Sequence, residues 1–302
     1  MAAIPFVKDI HFTPGVPDLV RPGVRRVIAD NPGPFTYTGS GTYIIGTGEV
    51  AVIDPGPDDE AHLAALLEVL SGETVTHILV THTHCDHCGL ARKFADATGA
   101  PIYGFSAHPV RDAKIDAPAL DEGADYDYAP DELIAHGAVL TGRDWTLEVI
   151  HTPGHLSNHL CFSMPAQKAL FTGDHIMGWA TTVVAPPDGD MTAYLDSLSV
   201  LLERDDEIYF PTHGAPIETP QRFVRAVRTH RLMRDAQIID QIKKGRTGIK
   251  EIVSAMYADV DKRLHGAAAL NVLAHLIRLE RIGTIECDGE PGMKSEYRPA
   301  AQ

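Results

Sequence analysis

The 302-residue chain has few cysteines, few tryptophans and no long apolar run. Its four cysteines, Cys85, Cys88, Cys161 and Cys287, are too few for a disulfide scaffold at this length. A cytoplasmic protein with reduced thiols is therefore expected. No stretch of about 18 apolar residues exists to cross a bilayer, so no membrane partner is expected. The N-terminal MAAIPFVKDIHF has no basic start followed by a long apolar segment and does not read as a secretory signal. The strand-to-helix pattern Gly-x-Ser-x-Gly of a serine nucleophile is absent too, as are internal repeats and low-complexity segments. Basic residues are scarce in the first 220 positions, which hold 11 of the 26 Lys and Arg but 31 of the 41 Asp and Glu. The remaining 82 residues hold 15 basic and 10 acidic side chains. So uneven a division suggests two units with different surfaces, the first of which repels nucleic acid unless bound cations offset its charge.

The sequence does contain alternating strand and helix patterns, and 44% of its residues are hydrophobic. Tyr43–Ile45 and Val50–Ile53 read as a hairpin across Gly46–Glu49. Helical periodicity covers 61–70 and 90–98, and strand-like runs cover 76–80, 147–151, 159–164, 169–172 and 207–210. A further helix covers 194–203. Beyond PTHGAPIETP the pattern changes to three helices, 221–244, one capped by Thr247 with Glu251 in its first turn, and 264–281. Two short strands around a Gly/Pro/Asp turn follow. Three helices and a hairpin outline a winged helix, which gives a first unit of 1–220 and a second of 221–302.

The densest chemical signal is THTHCDHCGL, Thr81 to Leu90, directly after the strand-like run ending at Val80. His82 and His84 can converge on one cation if the chain is extended there. Asp86 and His87 lie a turn onward and can hold a second. Other donors follow later strand candidates: His155 in HTPGH, Asp174 in FTGDH and His213 in PTHG. Five imidazoles and two carboxylates suit zinc, and iron or manganese would accept the same set. Cys85 and Cys88 form Cys-x-x-Cys, which admits a redox or zinc-thiolate reading. Its two inner positions are themselves metal donors, so the thiols are expected to be small fillers pointing away from the metals.

THTHCDHCG, HTPGH, TGD and PTHG together resemble the ordered motifs of the metallo-β-lactamase superfamily, and DPG at Asp54–Gly56 resembles an earlier motif of that fold. The tail, from WATTVVAPPDGDMTAYLDSL onward, resembles that of the beta-lactamase-like protein 2 family, close to glyoxalase II-like enzymes. The resemblance implies an α/β fold, an αβ/βα sandwich followed by a small winged-helix domain. It implies two Zn2+ per chain, one held by His82, His84 and His155, one by Asp86, His87 and His213, with Asp174 between them. Asp54 would stand behind the ligands and steady their loop, and His159 is a candidate for the same role. Relatives usually carry Gly-Gly after the first motif where this chain has Gly89-Leu90, a change expected to alter helix packing more than ligation.

Two cations roughly 3.5–4 Å apart would acidify a shared water into a bridging hydroxide, with Asp86 as a candidate proton relay. The expected activity is hydrolysis of a small ester, thioester or lactone. Cleavage of single-stranded RNA is the alternative, since one branch of the superfamily acts on it, and an iron-dependent oxygenase or a non-enzymatic regulator are further readings. Trp179, Thr181 and Tyr194 could line a substrate pocket or simply pack. In the last helix, Asn271, His275 and Arg278 share one face. That face could read nucleic acid, be solvated, pack beside the active site, or form a homodimer contact.

Overall fold

A computed structural model describes residues 4–108, 123–258 and 261–301. Its strands are β1 (Asp18–Arg21), β2 (Val24–Ile28), β3 (Gly41–Ile45), β4 (Glu49–Ile53), β5 (Thr74–Leu79), β6 (Ile102–Gly104), β7 (Glu132–Leu133), β8 (Val139–Thr141), β9 (Thr146–His151), β10 (Leu160–Met164), β11 (Ala169–Gly173), β12 (Ile208–Pro211), β13 (Ile285–Cys287) and β14 (Tyr297–Pro299). The helices are α1 (Glu60–Val69), the single turn α2 (Cys85–Cys88), α3 (Ala91–Thr98), α4 (Met191–Leu202), α5 (Pro220–Lys243), α6 (Ile249–Met256) and α7 (His265–Arg281).

Two sheets stack face to face. The first runs in order from β1 to β7, antiparallel through β4 and parallel from β4 onward. The second has the order β12-β11-β10-β9-β8, antiparallel except where β11 meets β12. Successive side chains of a strand point to opposite faces, and the sequence fills both faces. Tyr43, Ile45, Ala51 and Ile53 meet Leu147, Val149, Leu160, Phe162, Phe171 and Phe210 between the sheets. The alternate residues Ile44, Val50 and Val52 pack with Leu66 of α1 and Phe94 of α3. On the far side, Ile150, Cys161, Leu170 and Tyr209 pack with Leu198 of α4 and Phe223 of α5. The result is four layers, helix–sheet–sheet–helix.

A separate core holds the tail together, built from Ile238 and Ile242 of α5, Ile252 of α6, Leu273 and Leu276 of α7, and Ile285 and Tyr297 of the β13–β14 pair. Helix α5 therefore belongs to both units: Phe223, Val224 and Val227 lie in the core of the second sheet and Ile238 and Ile242 in the tail core. At α6 the cap differs from expectation. Gly248 occupies the N-cap with no side-chain bond, and Glu251 reaches back to accept from the Thr247 N–H at 3.2 Å. Edge strands β1, β7 and β8, and the short β6, lack a clean apolar alternation and escaped the sequence reading. So did β2, whose VRRVI buries a charged residue, Arg26. That guanidinium bonds Asp18 and the Gly214 carbonyl, both 3.3 Å away.

Tyr43 joins the sheets directly. Its buried hydroxyl donates to the Pro211 carbonyl at 2.7 Å, at the end of β12 and two residues before His213. A Tyr43→Phe variant leaves that carbonyl buried without its donor. It should lose about 1–3 kcal/mol of stability, read as a lower denaturation midpoint with unchanged slope.

Candidate metal centre

All seven donors come together at one edge of the sandwich, on the loops that leave β5, β9, β11 and β12. The chain is extended at His84 (φ −74°, ψ 142°) and then enters the α2 turn. This brings His82 and His84 onto one point and places Asp86 and His87 one turn further. Nε2 of His82 lies 2.9 Å from Nδ1 of His84, and Nε2 of His155 lies 3.0 Å from that same atom. On the other side, Nε2 of His213 is 3.1 Å from Asp86 Oδ2, and Nε2 of His87 is 3.4 Å from it. Asp174 stands between the two groups. Its Oδ1 is 3.5 Å from His87 and 3.4 Å from His213, and its Oδ2 is 3.9 Å from His155.

Hydrogen bonds behind the donors fix which ring nitrogen faces inward. His155 Nδ1 bonds the Val183 carbonyl at 2.6 Å and His213 Nδ1 bonds the Gly39 carbonyl at 3.2 Å, so each donates there and turns its Nε2 to the centre. His87 Nδ1 bonds Asp54 Oδ2 at 2.8 Å. Asp54 also accepts from the Thr81 N–H and the Thr81 hydroxyl, both at 2.8 Å, and from the Thr212 hydroxyl at 3.2 Å. Its φ of +49° is uncommon for a side-chain-bearing residue and turns the carboxylate into this position. His159 is no donor to the centre. Its Nε2 accepts the Asp174 N–H at 3.2 Å and its Nδ1 faces the Thr152 hydroxyl at 2.8 Å, so it holds the main chain that carries Asp174. Gly173 makes this approach feasible: its φ is +48°, and a Cβ would lie 2.7 Å from His159 Nε2.

The charges match the geometry. Burial holds His82 neutral, and burial and His155 together push His84 down to about 3. Burial also disfavours charge on His87 and His213, yet the surrounding carboxylates outweigh it. Asp86, Asp174 and Asp54 hold His87 well above its ordinary value, and Asp174 and Asp86 push His213 up to about 10. Three carboxylates thus draw positive charge into a closed space. His87 Nε2 and Asp174 Oδ1 are sealed from solvent without a hydrogen-bond partner. Unpaired buried polar atoms are costly, and two of them aimed into one donor cluster fit a resident cation. Donor atoms of His82, His84 and His155 lie within 4.8 Å of one another, as do those of Asp86, His87 and His213 and those of His82, His87 and Asp174.

The thiols stay outside these groups. Cys88 packs in the core between the first sheet and its helices, but Cys85 is exposed and is not the packed filler expected. Of the three residues that could line a pocket, Tyr194 packs instead. Tyr194 is fully buried behind the centre, where its hydroxyl donates to the His175 carbonyl at 2.9 Å. Trp179 is half-buried and stacks on Tyr37 with ring centroids 4.7 Å apart, and the described lining of the cleft directly over the donors does not include it or Thr181. That cleft is walled by Phe35, Met177 and Val183 beside His84, Asp86, His155 and Asp174.

Several residues that position the donors carry no motif. The Ser40 hydroxyl donates to Asp86 Oδ2 at 3.0 Å and receives Asn31 Nδ2 at 3.0 Å. Buried Asn158 reaches Thr83, between His82 and His84, at 3.1 Å. The Thr182 hydroxyl donates to the Asp174 carbonyl at 2.6 Å. Asn158 lies inside the histidine-rich segment that includes HTPGH, which was a usable signal; the others are common hydroxyl and amide residues in loops.

Residues 37–213 match the metallo-beta-lactamase superfamily, and residues 249–292 match the beta-lactamase associated winged helix domain. The chain is 31% identical over 267 residues to an atrochrysone carboxyl ACP thioesterase of Aspergillus chevalieri, covering 86% of this chain and 79% of that one. It is 31% identical over 275 residues to a beta-lactamase-like protein 2 homolog of Caenorhabditis elegans, covering 87% and 86%. A beta-lactamase domain protein from Burkholderia ambifaria superposes with a TM-score of 0.78 at 21% identity, over 96% of this chain and 95% of its own.

Three substitutions separate the donors from their neighbours. Asp54→Ala should lower metal affinity by about 10- to 100-fold, as loss of a partner behind a ligand does elsewhere. Cys85→Ser and Cys88→Ala, made singly, should leave the number of bound ions unchanged in elemental analysis. Loss of one ion from either cysteine variant would add a thiolate to the donor set.

Proposed function

This chain belongs to the metallo-beta-lactamase superfamily and is a metal-dependent hydrolase of it; from that membership we propose that it binds two zinc ions and hydrolyses a thioester with an apolar acyl group. The observation that carries the substrate class is the cleft. Its polar floor is the donor cluster, and its walls among the described residues, Phe35, Met177 and Val183, offer apolar surface for an acyl chain or ring and no basic side chain for a phosphate. The relatives named as thioesterases support the same bond type. The imidazole and carboxylate donor set is one that zinc accepts.

When bound, the ions would polarise the acyl carbonyl and lower the pKa of water held between the two donor groups. The chain's own residues set the stage for that chemistry. His82, His84 and His155 hold one side, Asp86, His87 and His213 the other, and Asp174 spans them. Asp86 is hydrogen-bonded by Ser40 and faces His213, which leaves it placed to take up and pass on the proton of the attacking water. Phe35 and Met177 would flank a bound acyl carbonyl with apolar surface. A thiolate leaves readily, so protonation of the leaving group asks little of the chain.

A panel of acyl thioesters tests the proposal beside the matching oxygen esters and labelled single-stranded RNA, with thiol release and RNA cleavage followed in parallel. Metal-dependent thiol release should be greatest for aromatic or medium-chain acyl groups and should vanish on chelation. Asp174→Ala, which removes the group shared by both sides, should cut turnover by at least about 100-fold. RNA cleavage without thiol release would replace this substrate class with the nucleic-acid one, and full activity in Asp174→Ala would remove the two-ion centre from the reaction.

A further inference from the structure

The face of α7 that carries Asn271, His275 and Arg278 does not point to solvent. His275 Nδ1 lies 2.7 Å from Asp235 Oδ1, and Arg278 donates to Asp235 Oδ2 at 2.6 Å, both across to α5. Asn271, one turn before His275, reaches further. Its Oδ1 accepts the Val184 N–H at 3.1 Å and an N–H of Arg231 at 3.4 Å. Arg231 of α5 is buried, and its guanidinium also donates to the Thr182 carbonyl while lying 5.3 Å over the ring of Tyr194. Two tail helices thus grip the main chain on both sides of Val183.

Val183 is the residue whose carbonyl receives His155 Nδ1 at 2.6 Å, and its side chain walls the cleft. On the flank, Thr182 is tied to the Asp174 carbonyl at 2.6 Å and to the His175 carbonyl at 3.1 Å. The path from the tail to the centre is therefore three contacts long: Asn271 and Arg231 hold 182–184, Val183 holds the His155 ring, and His155 turns Nε2 towards His84. A buried guanidinium is costly to desolvate unless its hydrogen bonds are met. Arg231 meets this need in part, through the Thr182 carbonyl of this loop and Asn271 of α7, so the loop and the tail hold each other in one arrangement.

We infer that Asn271 and Arg231 are positioning residues for the His82–His84–His155 side of the centre, and that the winged-helix unit sets the affinity of that side for its ion. The other side, Asp86, His87 and His213, is held by Ser40, Asp54 and Gly39, and among the described residues its one link to the tail runs through Asp174, which Thr182 holds by its main chain and both sides share. The tail thus acts most directly on the ion that His155 would hold. The inference rests on the two-ion reading only for its metal arm.

The test compares Asn271→Leu, which removes the acceptor at similar volume, with Asn271→Asp, which keeps an acceptor oxygen. Zinc affinity is measured by competition with a chromophoric chelator. Asn271→Leu should hold one ion as the wild type does and the other about tenfold more weakly, while Asn271→Asp should retain both. Folding is monitored by the thermal transition of each metal-free variant. In the metal-free chain, the hydrogen-bonded imidazole N–H resonance of His155, assigned by its loss in His155→Ala, should shift or broaden in Asn271→Leu and recover in Asn271→Asp. Equal weakening of both ions, or wild-type affinity for both, would overturn the inference, as would an unmoved His155 resonance. A wild-type chain that takes up no zinc ends the two-ion reading, and the resonance then decides the role of Asn271 by itself.

Discussion

The carboxylate of Asp54 is the point on which the centre depends. It sits just past β4 and accepts four hydrogen bonds: two from Thr81 at the end of β5, one from His87 in α2 and one from Thr212 after β12. Three strand ends from two sheets are thereby tied to one side chain. The same loop is anchored a second way, for the Gly56 N–H donates to the His87 carbonyl and the Leu90 N–H to the Gly56 carbonyl, each at 3.0 Å. Since Asp54 receives His87 Nδ1, the opposite nitrogen must face the cluster. A buried anion in a left-handed backbone is unfavourable taken alone, and these donors are what stabilise it.

From that anchor the two halves of the centre differ in what holds them. The half containing His87 and His213 draws its support from within the sandwich, through Asp54, Ser40 and Gly39. The half containing His155 leans on the 182–184 loop and, through it, on helices of the second unit. The acidic surplus of the first 220 residues has a local counterpart here, because Asp54, Asp86 and Asp174 converge in one buried space. Their combined field raises His87 and His213 although burial acts the other way. The protein concentrates negative charge where cations are to be held and leaves the neighbouring wall apolar.

Much of this was legible in the sequence because strand ends and donor residues coincide. THTHCDHCGL, HTPGH, TGD and PTHG each follow an apolar run of strand length, and the structure brings them to one edge of the sandwich. The central strands were readable from their two-sided burial, as in the alternation of Tyr43 and Ile45 with Ile44. The unread parts have physical reasons. Val24–Ile28 holds two arginines, one of them buried, and breaks the pattern of an interior strand. Tyr194 sits beside a donor loop in sequence but on the inner face of α4, so chain proximity misplaced it into the pocket. Phe35, Met177 and Val183 gave no signal, since an apolar residue in a loop looks the same whether it walls a cleft or fills a core. The polar face of α7 was visible as a periodicity, but its partner, Asp235 on another helix, was not.

Helix α5 runs without interruption from the core of the second sheet into the core of the tail, a span of roughly 36 Å at 1.5 Å per residue. No cut in the chain separates the two units cleanly, since one made before α5 strips Phe223 and Val227 from the sandwich and one made after it strips Ile238 and Ile242 from the tail. Exchanging the tail for a foreign winged helix would therefore mean exchanging part of α5 as well and re-fitting the loop at 182–184.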